Sequence, residues 1–212
     1  MRRIIYIALG AFLLLITCSA YRANTTLDWQ DKEVFPVIGE VGRNAFALAT
    51  YVDARSLAGE DIYLVITSPG GDVFTGSIAI SAMETAKHRG SKINCIVPVL
   101  AASMAMHYFN HCDRRYAFPE AFLLFHEAKG QAGPTQRQMA HAAEQMGILT
   151  RLLEQDLIDN LGTTKEQFTW HNVNETLWTS YEFIQAFPKW DMALVRDVKL
   201  PATYDKSLFE IR

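Results

Sequence analysis

Apolar residues along the chain form short continuous runs that alternate with stretches of helical spacing. The clearest run is 62–66, which lies between Asp61 and a turn rich in proline and glycine. A run of this kind is typical of a strand buried on both faces of a parallel sheet. Further strands are predicted at 34–38, 93–100, 115–118 and 122–125, and helices at 43–58, 76–88 and 103–110. The alternation predicts strand–helix–strand units and an α/β fold.

Residues 134–161 have a different pattern. After Pro134 the stretch contains no proline, and apolar residues recur every three or four positions as far as Leu161, where Gly162 follows. Proline favours the first turn of a helix and glycine the residue after its last turn, so one long helix is predicted. We expect part of it to project and pack against another subunit. A helix that lies across the sheet of its own chain is the alternative.

The first 20 residues have the order of a secretory signal peptide. Arg2 and Arg3 precede an apolar run, and small residues before a cut after Ala20 complete the pattern. Two alternatives stay open, namely an uncleaved membrane anchor and a lipid on Cys18, because residues 15–18 resemble a bacterial lipoprotein box. Each alternative predicts export, to the bacterial periplasm in the simplest case. The polar residues 21–32 are interpreted as a tether.

Composition narrows the classes of partner. The 212 residues are 50% apolar and 20% charged, with a formal net charge of −3. These values are typical of a globular domain and give no basic face for nucleic acid. The chain has no G-x-x-x-x-G-K-[ST] phosphate loop, so we expect no ATPase activity of its own.

The cysteines and histidines suggest a disulfide more strongly than a metal site. Once a signal peptide is removed, Cys95 and Cys112 remain as an even pair, and an oxidising compartment favours a disulfide between them. Two separate buried thiols are the alternative. His107 and His111 stand four residues apart beside Cys112, but this spacing without a third ligand is a weak zinc signal. We therefore expect no metal and no cofactor.

Three short motifs follow predicted strands and carry residues suited to catalysis. They are Ser68-Pro69-Gly70-Gly71-Asp72, Ala101-Ala102-Ser103-Met104-Ala105 and Leu123-Leu124-Phe125-His126. Paired glycines allow backbone N–H groups to approach an anion, and a serine at a helix start has the positive end of that helix beside it. A histidine at the carboxyl edge of a parallel sheet faces the same crevice. Each motif also has a structural interpretation: a tight turn, a helix cap and a core histidine.

In this order and at this separation, the three motifs resemble the proteolytic subunit of the Clp protease. The resemblance extends from about Val34 to Phe187, and the long helix matches that family's handle helix. It implies an α/β domain at 33–187 with a crotonase-like ββα superhelix and a protruding handle. It also implies that Ser103 is the nucleophile and His126 the general base, and that the N–H groups of Gly71 and Met104 form the oxyanion hole.

The same resemblance indicates the third catalytic residue. Glu175 stands where the family has an aspartate, and a Ser-His-Glu triad is chemically sound because a carboxylate of either length can orient an imidazole. Asn174, which replaces a family arginine, is the alternative orienting residue. A surface glutamate without a role is the remaining interpretation of Glu175.

These features together predict an exported, ATP-independent serine peptidase. It would cleave peptides or unfolded proteins through an acyl-enzyme and assemble as a homo-oligomer through the 134–161 helix. It would contact a membrane only if its N-terminal segment stays uncleaved or lipidated. The alternatives are a catalytically silent, crotonase-like interaction module and a hydrolase similar to signal peptide peptidases, with a Ser/Lys dyad that uses Lys129. The resemblance assigns no role to residues 188–212.

Overall fold

The structure is a computed structural model that describes residues 26–128 and 136–204, apart from the side chains of 136–139, 142 and 146. The strands are β1 (Thr26–Asp28), β2 (Phe35–Ile38), β3 (Ile62–Thr67), β4 (Ile93–Val97), β5 (Leu100–Ala102), β6 (Arg114–Ala117), β7 (Phe122–Leu124), β8 (Leu177–Thr179), β9 (Ala193–Leu194) and β10 (Asp197–Lys199). The helices are α1 (Asn44–Leu57), α2 (Val73–His88), α3 (Met104–Asn110), α4 (Gln136–Leu161), α5 (Lys165–Val173) and α6 (Ser180–Ala186).

A five-stranded sheet forms the centre of the protein. Its order is β2-β3-β4-β6-β9, and every neighbouring pair is parallel. The predicted α/β fold with a parallel sheet is therefore confirmed. Helix α1 connects β2 to β3, and α2 connects β3 to β4. Helix α2 begins three residues earlier than predicted, because the Asp72 carboxylate accepts a hydrogen bond from the Thr75 N–H (2.7 Å) and caps it there.

The two faces of this sheet contribute to two separate apolar clusters. Side chains alternate along a strand, so Leu64 and Ile66 of β3 face the larger cluster, whereas Val65 faces the smaller one. Trp29 and Val198 belong to the smaller cluster and are almost fully buried. Trp29 directly follows β1 and Val198 lies in β10, and these two strands pair in parallel. Residues that the sequence analysis placed in a tether and a tail thus cover the second face.

A second, three-stranded sheet was not predicted. The sequence analysis treated 93–100 as one strand, but β4 ends at Val97 and β5 begins at Leu100, because β5 leaves the main sheet to pair with β7. In the resulting order β5-β7-β8, the first pair is parallel and the second antiparallel. An isolated bridge between Ser68 and Ala101 connects this sheet to the end of β3.

The long helix α4 lies within the predicted 134–161 range, whose first two residues fall outside the described part of the chain. Leu157 and Leu161, in its last turns, are buried against the protein's own core. Ile148 and Leu152 are 48% and 63% exposed on another side of the helix. Within the ranges given above, no helix combines the length and the apolar character needed to cross a bilayer.

Cys95 and Cys112 lie at disulfide distance, with Cα atoms 6.0 Å apart, which is within the normal range. Cys95 belongs to β4, and Cys112 lies between α3 and β6. A bond between them would close a loop with a sequence separation of 17 residues. A crosslink of that length restricts the unfolded chain and stabilises the fold by about 3 kcal/mol.

We therefore predict that reduction lowers the free energy of unfolding of the wild type by about 3 kcal/mol. The same treatment should leave a Cys95→Ala/Cys112→Ala variant unchanged, because it has no crosslink to lose. Urea unfolding with and without reductant measures both effects. Non-reducing peptide mapping that finds two free thiols, in protein recovered from an oxidising compartment, would contradict the prediction.

Candidate active site

In the turn after β3, the backbone N–H group of Gly71 faces away from the neighbouring segment at Val41. Val41 donates its N–H to the Gly70 carbonyl (2.7 Å) and accepts from the Asp72 N–H (2.8 Å), so the Gly71 N–H between them faces the opposite side. It has no backbone acceptor among the described residues. A Cβ atom at Gly71 would collide with the Val41 carbonyl oxygen, which explains the glycine at this position.

Ser103 has a strained backbone at the junction of β5 and α3. Its φ of 53° and ψ of −125° are rare for a residue with a side chain, and such a conformation costs on the order of 1–3 kcal/mol. It is held there because its N–H donates to the Leu124 carbonyl of β7 (2.9 Å). The next residue, Met104, opens α3, and an N–H at that position has no acceptor within its own helix.

Gly70 lies directly against Ser103. A Cβ atom built at Gly70 would stand 2.5 Å from the Ser103 Cβ and 2.8 Å from the Met104 backbone nitrogen. These distances are far shorter than normal contacts, so only glycine allows the two turns to approach. The free N–H groups of Gly71 and Met104 therefore belong to adjacent turns, as an oxyanion hole requires.

His126 follows the strand that pairs with the strand of Ser103. The β5–β7 register aligns Ala102 with Leu124. Ser103 lies one residue after Ala102, and His126 lies two residues after Leu124, so both follow the same end of this strand pair. The His126 Nδ1 lies 2.8 Å from the Glu127 carbonyl oxygen. Because a carbonyl only accepts, this contact assigns the proton to Nδ1 and leaves Nε2 as a base. The side chains of Ser103 and His126 line one pocket.

Helix α4 provides one wall of that pocket. Its contributions are Thr150, Leu153, Glu154 and Leu157, whose spacing places them on one face of the helix. Helix α5 adds Asn172, which is only 3% exposed and whose amide donates to the Glu154 carboxylate (2.8 Å). The sequence analysis missed Glu154. The helical spacing of Leu153 and Leu157 could have identified it. This spacing predicts a buried apolar stripe on the helix, and a charged residue beside such a stripe lies at the edge of the core.

The charge state of Glu154 reflects its partial burial. Desolvation raises the pKa of the Glu154 carboxyl above its ordinary value, and the negative charge of Glu127 raises it further. The hydrogen bond from Asn172 and the positive charge of Lys165 oppose this shift without cancelling it. The pocket thus holds a carboxylate that lacks a fully compensating cation of its own.

Glu175, the predicted third catalytic residue, lies in the turn between α5 and β8. It is exposed, has a φ of 47°, and does not line the pocket that Ser103 and His126 share. The antiparallel β7–β8 register aligns Leu124 with Leu177. The pairing ends there, because the Glu175 N–H donates to the Asn172 carbonyl (3.3 Å) and the Thr176 N–H to the His171 carbonyl (3.2 Å). Both residues thus belong to the turn that ends α5, and the catalytic role of Glu175 stays a prediction.

The two alternative participants differ in their placement. The Asn174 side-chain amide donates to the Trp170 carbonyl (2.6 Å) and so closes the last turn of α5. This contact gives Asn174 a structural role in the helix end. Lys129, the base of the alternative Ser/Lys dyad, lies outside the described residues.

The His107 ring also lines the pocket, one helical turn after Ser103. Burial is the main cause that lowers the pKa of His107 to about 3, and the nearby His111 and His126 contribute in the same direction. His107 is therefore neutral at physiological pH and a poor general base. In the described ranges, no group of three or more His, Cys, Asp or Glu side chains could hold a metal ion.

Known proteins resemble the chain over the same region. A model of the Clp protease family, described as "Clp protease", matches residues 43–185. The ATP-dependent Clp protease proteolytic subunit of Streptococcus gordonii is 32% identical over 160 residues, which cover 70% of this chain and 79% of that protein. The subunit of the same name from Streptococcus mutans is 34% identical over 160 residues, with the same coverage. That of Lactococcus lactis subsp. cremoris is 32% identical and is covered to 77%.

The contact between Gly70 and Ser103 gives a specific prediction. We expect Gly70→Ala to lower peptidase activity by at least about 100-fold, because the new methyl group would displace Ser103, and small displacements of reacting groups are costly. Gly90→Ala is the matched control, since Gly90 has a similar φ (+97° against +90°) and nothing within 4 Å of the added atom. Both variants share the backbone strain, so equal activities in a peptidase assay would contradict the prediction.

The neutral state of His107 predicts acid sensitivity. In the unfolded chain His107 binds a proton near its ordinary pKa of 6.5, whereas the folded protein takes it up only near pH 3. Between pH 6.5 and pH 3 the unfolded state therefore binds more protons than the folded state. As the pH is lowered through this range, the free energy of unfolding decreases by up to about 1.4 kcal/mol per pH unit. Urea unfolding from pH 7 to pH 4.5 should show a shallower decline for His107→Gln. His88→Gln, at an exposed position, should decline like the wild type. Parallel curves for all three proteins would refute the prediction.

Proposed function

Because this chain belongs to the Clp protease family and is a serine-type peptidase, we propose that it cleaves peptide bonds with Ser103, His126 and Glu175 as its catalytic triad. We further propose that it works outside the cytoplasm without ATP, on peptides or unfolded chains. One observation carries the catalytic proposal. Ser103, Met104 and His126 line one pocket, and the N–H groups of Met104 and of Gly71, in the adjacent turn, have no backbone acceptor among the described residues.

The first half of the reaction forms an acyl-enzyme. The His126 Nε2 takes the proton of the Ser103 hydroxyl as its oxygen attacks the substrate carbonyl. The carbonyl oxygen becomes negative and accepts hydrogen bonds from the Gly71 and Met104 N–H groups, which are already oriented. His126 then gives the proton to the leaving amine, and the peptide bond breaks.

The second half releases the product. A water molecule gives its proton to His126 and attacks the acyl carbon, the same N–H groups bind the oxyanion, and Ser103 recovers its proton. Each half passes through a positively charged imidazolium. The Glu127 carbonyl fixes the tautomer through Nδ1. In the proposed triad, the carboxylate of Glu175 adds the negative charge that stabilises the imidazolium.

The strain at Ser103 supports a catalytic protein over a silent module. A silent helix cap needs no positive φ, because cap residues normally have an extended backbone, as Asp72 and Thr164 do here. At Ser103 the side chain instead makes no capping hydrogen bond. A backbone conformation of this cost persists where it places a reacting group.

Three sequence features support work outside the cytoplasm. The first 20 residues have the pattern of a signal peptide, Cys95 and Cys112 lie at disulfide distance, and the chain has no phosphate-binding loop for ATP. We propose residence in the bacterial periplasm, with the signal peptide cleaved, or retained as an anchor or lipid attachment site.

Members of this family form oligomers, and we propose that this chain assembles through α4. Ile148 and Leu152 leave a large apolar area exposed on a helix whose other face is buried. A surface of this kind is typical of subunit interfaces. The proposed assembly is a closed homo-oligomer with α4 at each interface.

The triad gives a prediction for four variants. Ser103→Ala and His126→Ala should each lower kcat/KM for small peptides by at least about 10⁴-fold, and the double variant should lose little more, because the two residues act as a unit. Glu175→Gln should lose less, since it keeps the shape and removes only the charge. Glu175→Asp should also lose activity if the site is fitted to the longer side chain. Ser81→Ala and His88→Ala, at exposed positions, serve as matched controls.

A fluorophosphonate probe with mass-spectrometric mapping completes the test. Ser103 should be the labelled residue, and the label should be absent from Ser103→Ala and weak in His126→Ala. Full activity of Ser103→Ala would place the nucleophile elsewhere. A wild type that neither reacts with the probe nor cleaves any peptide would favour the silent interaction module.

A further inference from the structure

The pocket next to Ser103 is placed to receive one particular substrate side chain. The Met104 N–H and the Ser103 hydroxyl both act on the carbonyl that is attacked, and both residues line this pocket. The residue that owns that carbonyl is the last one before the cleaved bond. Its side chain is attached to the Cα atom next to the carbonyl carbon, so this pocket lies within its reach.

The walls of the pocket suit a long, unbranched side chain. Apolar groups line it, contributed by α2, by the residue directly after β7, and by α4 and α5: Val73, Phe125, Leu153, Leu157 and Phe168. Phe125 and Phe168 stack with their ring centres 4.6 Å apart, which keeps this part of the wall in place. The methylene groups of lysine and arginine bury well along such a surface while the charged end reaches a polar partner.

The polar partner is Glu154. Only one contact of its carboxylate lies among the described hydrogen bonds, the one from the Asn172 amide (2.8 Å), so a carboxylate with four acceptor sites keeps capacity for a ligand. The charged groups that influence it are Glu127, which is also negative, and Lys165, which is positive. His107, the other titratable group beside His126 in the pocket, is neutral.

From this arrangement we propose that the pocket selects lysine or arginine immediately before the cleaved bond, and that Glu154 is the residue that binds their charged group. The inference rests on the proposed function, in which Ser103 is the nucleophile. A cation would pair with the carboxylate at short range, and such charge-assisted hydrogen bonds are strong in a partly desolvated site. A neutral side chain of the same length would desolvate the carboxylate and give nothing in return.

Peptides that differ by one charge test this directly. Lysine is compared with norleucine, and arginine with citrulline, at the position before the cleaved bond. The wild type should prefer the charged member of each pair at least about 10-fold in kcat/KM. Glu154→Gln should lose that preference, so that its kcat/KM values for the lysine and norleucine peptides differ by less than about threefold. Glutamine keeps an oxygen for the Asn172 amide, so the variant should fold normally, and its thermal unfolding verifies this.

Glu144→Gln is the matched control, because Glu144 is exposed on the same helix and does not line the pocket. It should keep the wild-type preference. As a readout independent of turnover, peptidyl phosphonates with a lysine or a norleucine side chain should label Ser103 with the same order of rates.

Three results would overturn the inference. A wild type that prefers norleucine would show that Glu154 does not bind the cation, and an equal loss on both peptides in Glu154→Gln would make Glu154 a positioning residue for His126 or α5. In both cases cleavage and Ser103 labelling continue, so the proposed function stands. If no peptide is cleaved and Ser103 is never labelled, the proposed function fails and this inference fails with it.

Discussion

The parallel pairing of β5 with β7 is the interaction on which the rest of the site depends. Its last hydrogen bond runs from the Ser103 N–H to the Leu124 carbonyl, so it fixes the backbone of Ser103, the proposed nucleophile, against the end of the strand that His126, the proposed base, follows. It also holds Ser103 at a positive φ, which the chain would not keep on its own. The stack of Phe125 on Phe168 then anchors the same strand to α5 and, through α5, positions the far wall of the pocket.

Much of this arrangement could be predicted from local sequence. Five apolar residues in a row at β3 and a serine between small residues after an apolar strand are signals that need no knowledge of distant contacts. The β1–β10 pair could not be predicted, because it joins strands of three residues each from opposite ends of the chain. Strands this short have no detectable periodicity. Residues 93–100 were wrongly predicted to be one strand for a related reason, since only their partner strands distinguish β4 from β5.

The site shows the same division between local and distant information. Motifs located Ser103, His126 and the glycine turn, because each lies where a strand ends. They did not locate Glu154 or Asn172, since their contact depends on the rotation of α4 about its axis and on how α5 docks, both set by tertiary packing. The residues proposed to catalyse the reaction could thus be identified from the sequence, whereas the residues proposed to surround the substrate could be identified only from the fold.

The central claim is that Ser103, His126 and the two free N–H groups form one catalytic unit. A crystal structure of the protein after reaction with a fluorophosphonate tests it most directly. The account predicts a covalent bond from the Ser103 Oγ to phosphorus, with a phosphonyl oxygen about 2.7–3.1 Å from the backbone nitrogens of both Gly71 and Met104. The His126 Nε2 should face the Ser103 oxygen. An adduct on another residue, or a phosphonyl oxygen directed away from both N–H groups, would contradict the account.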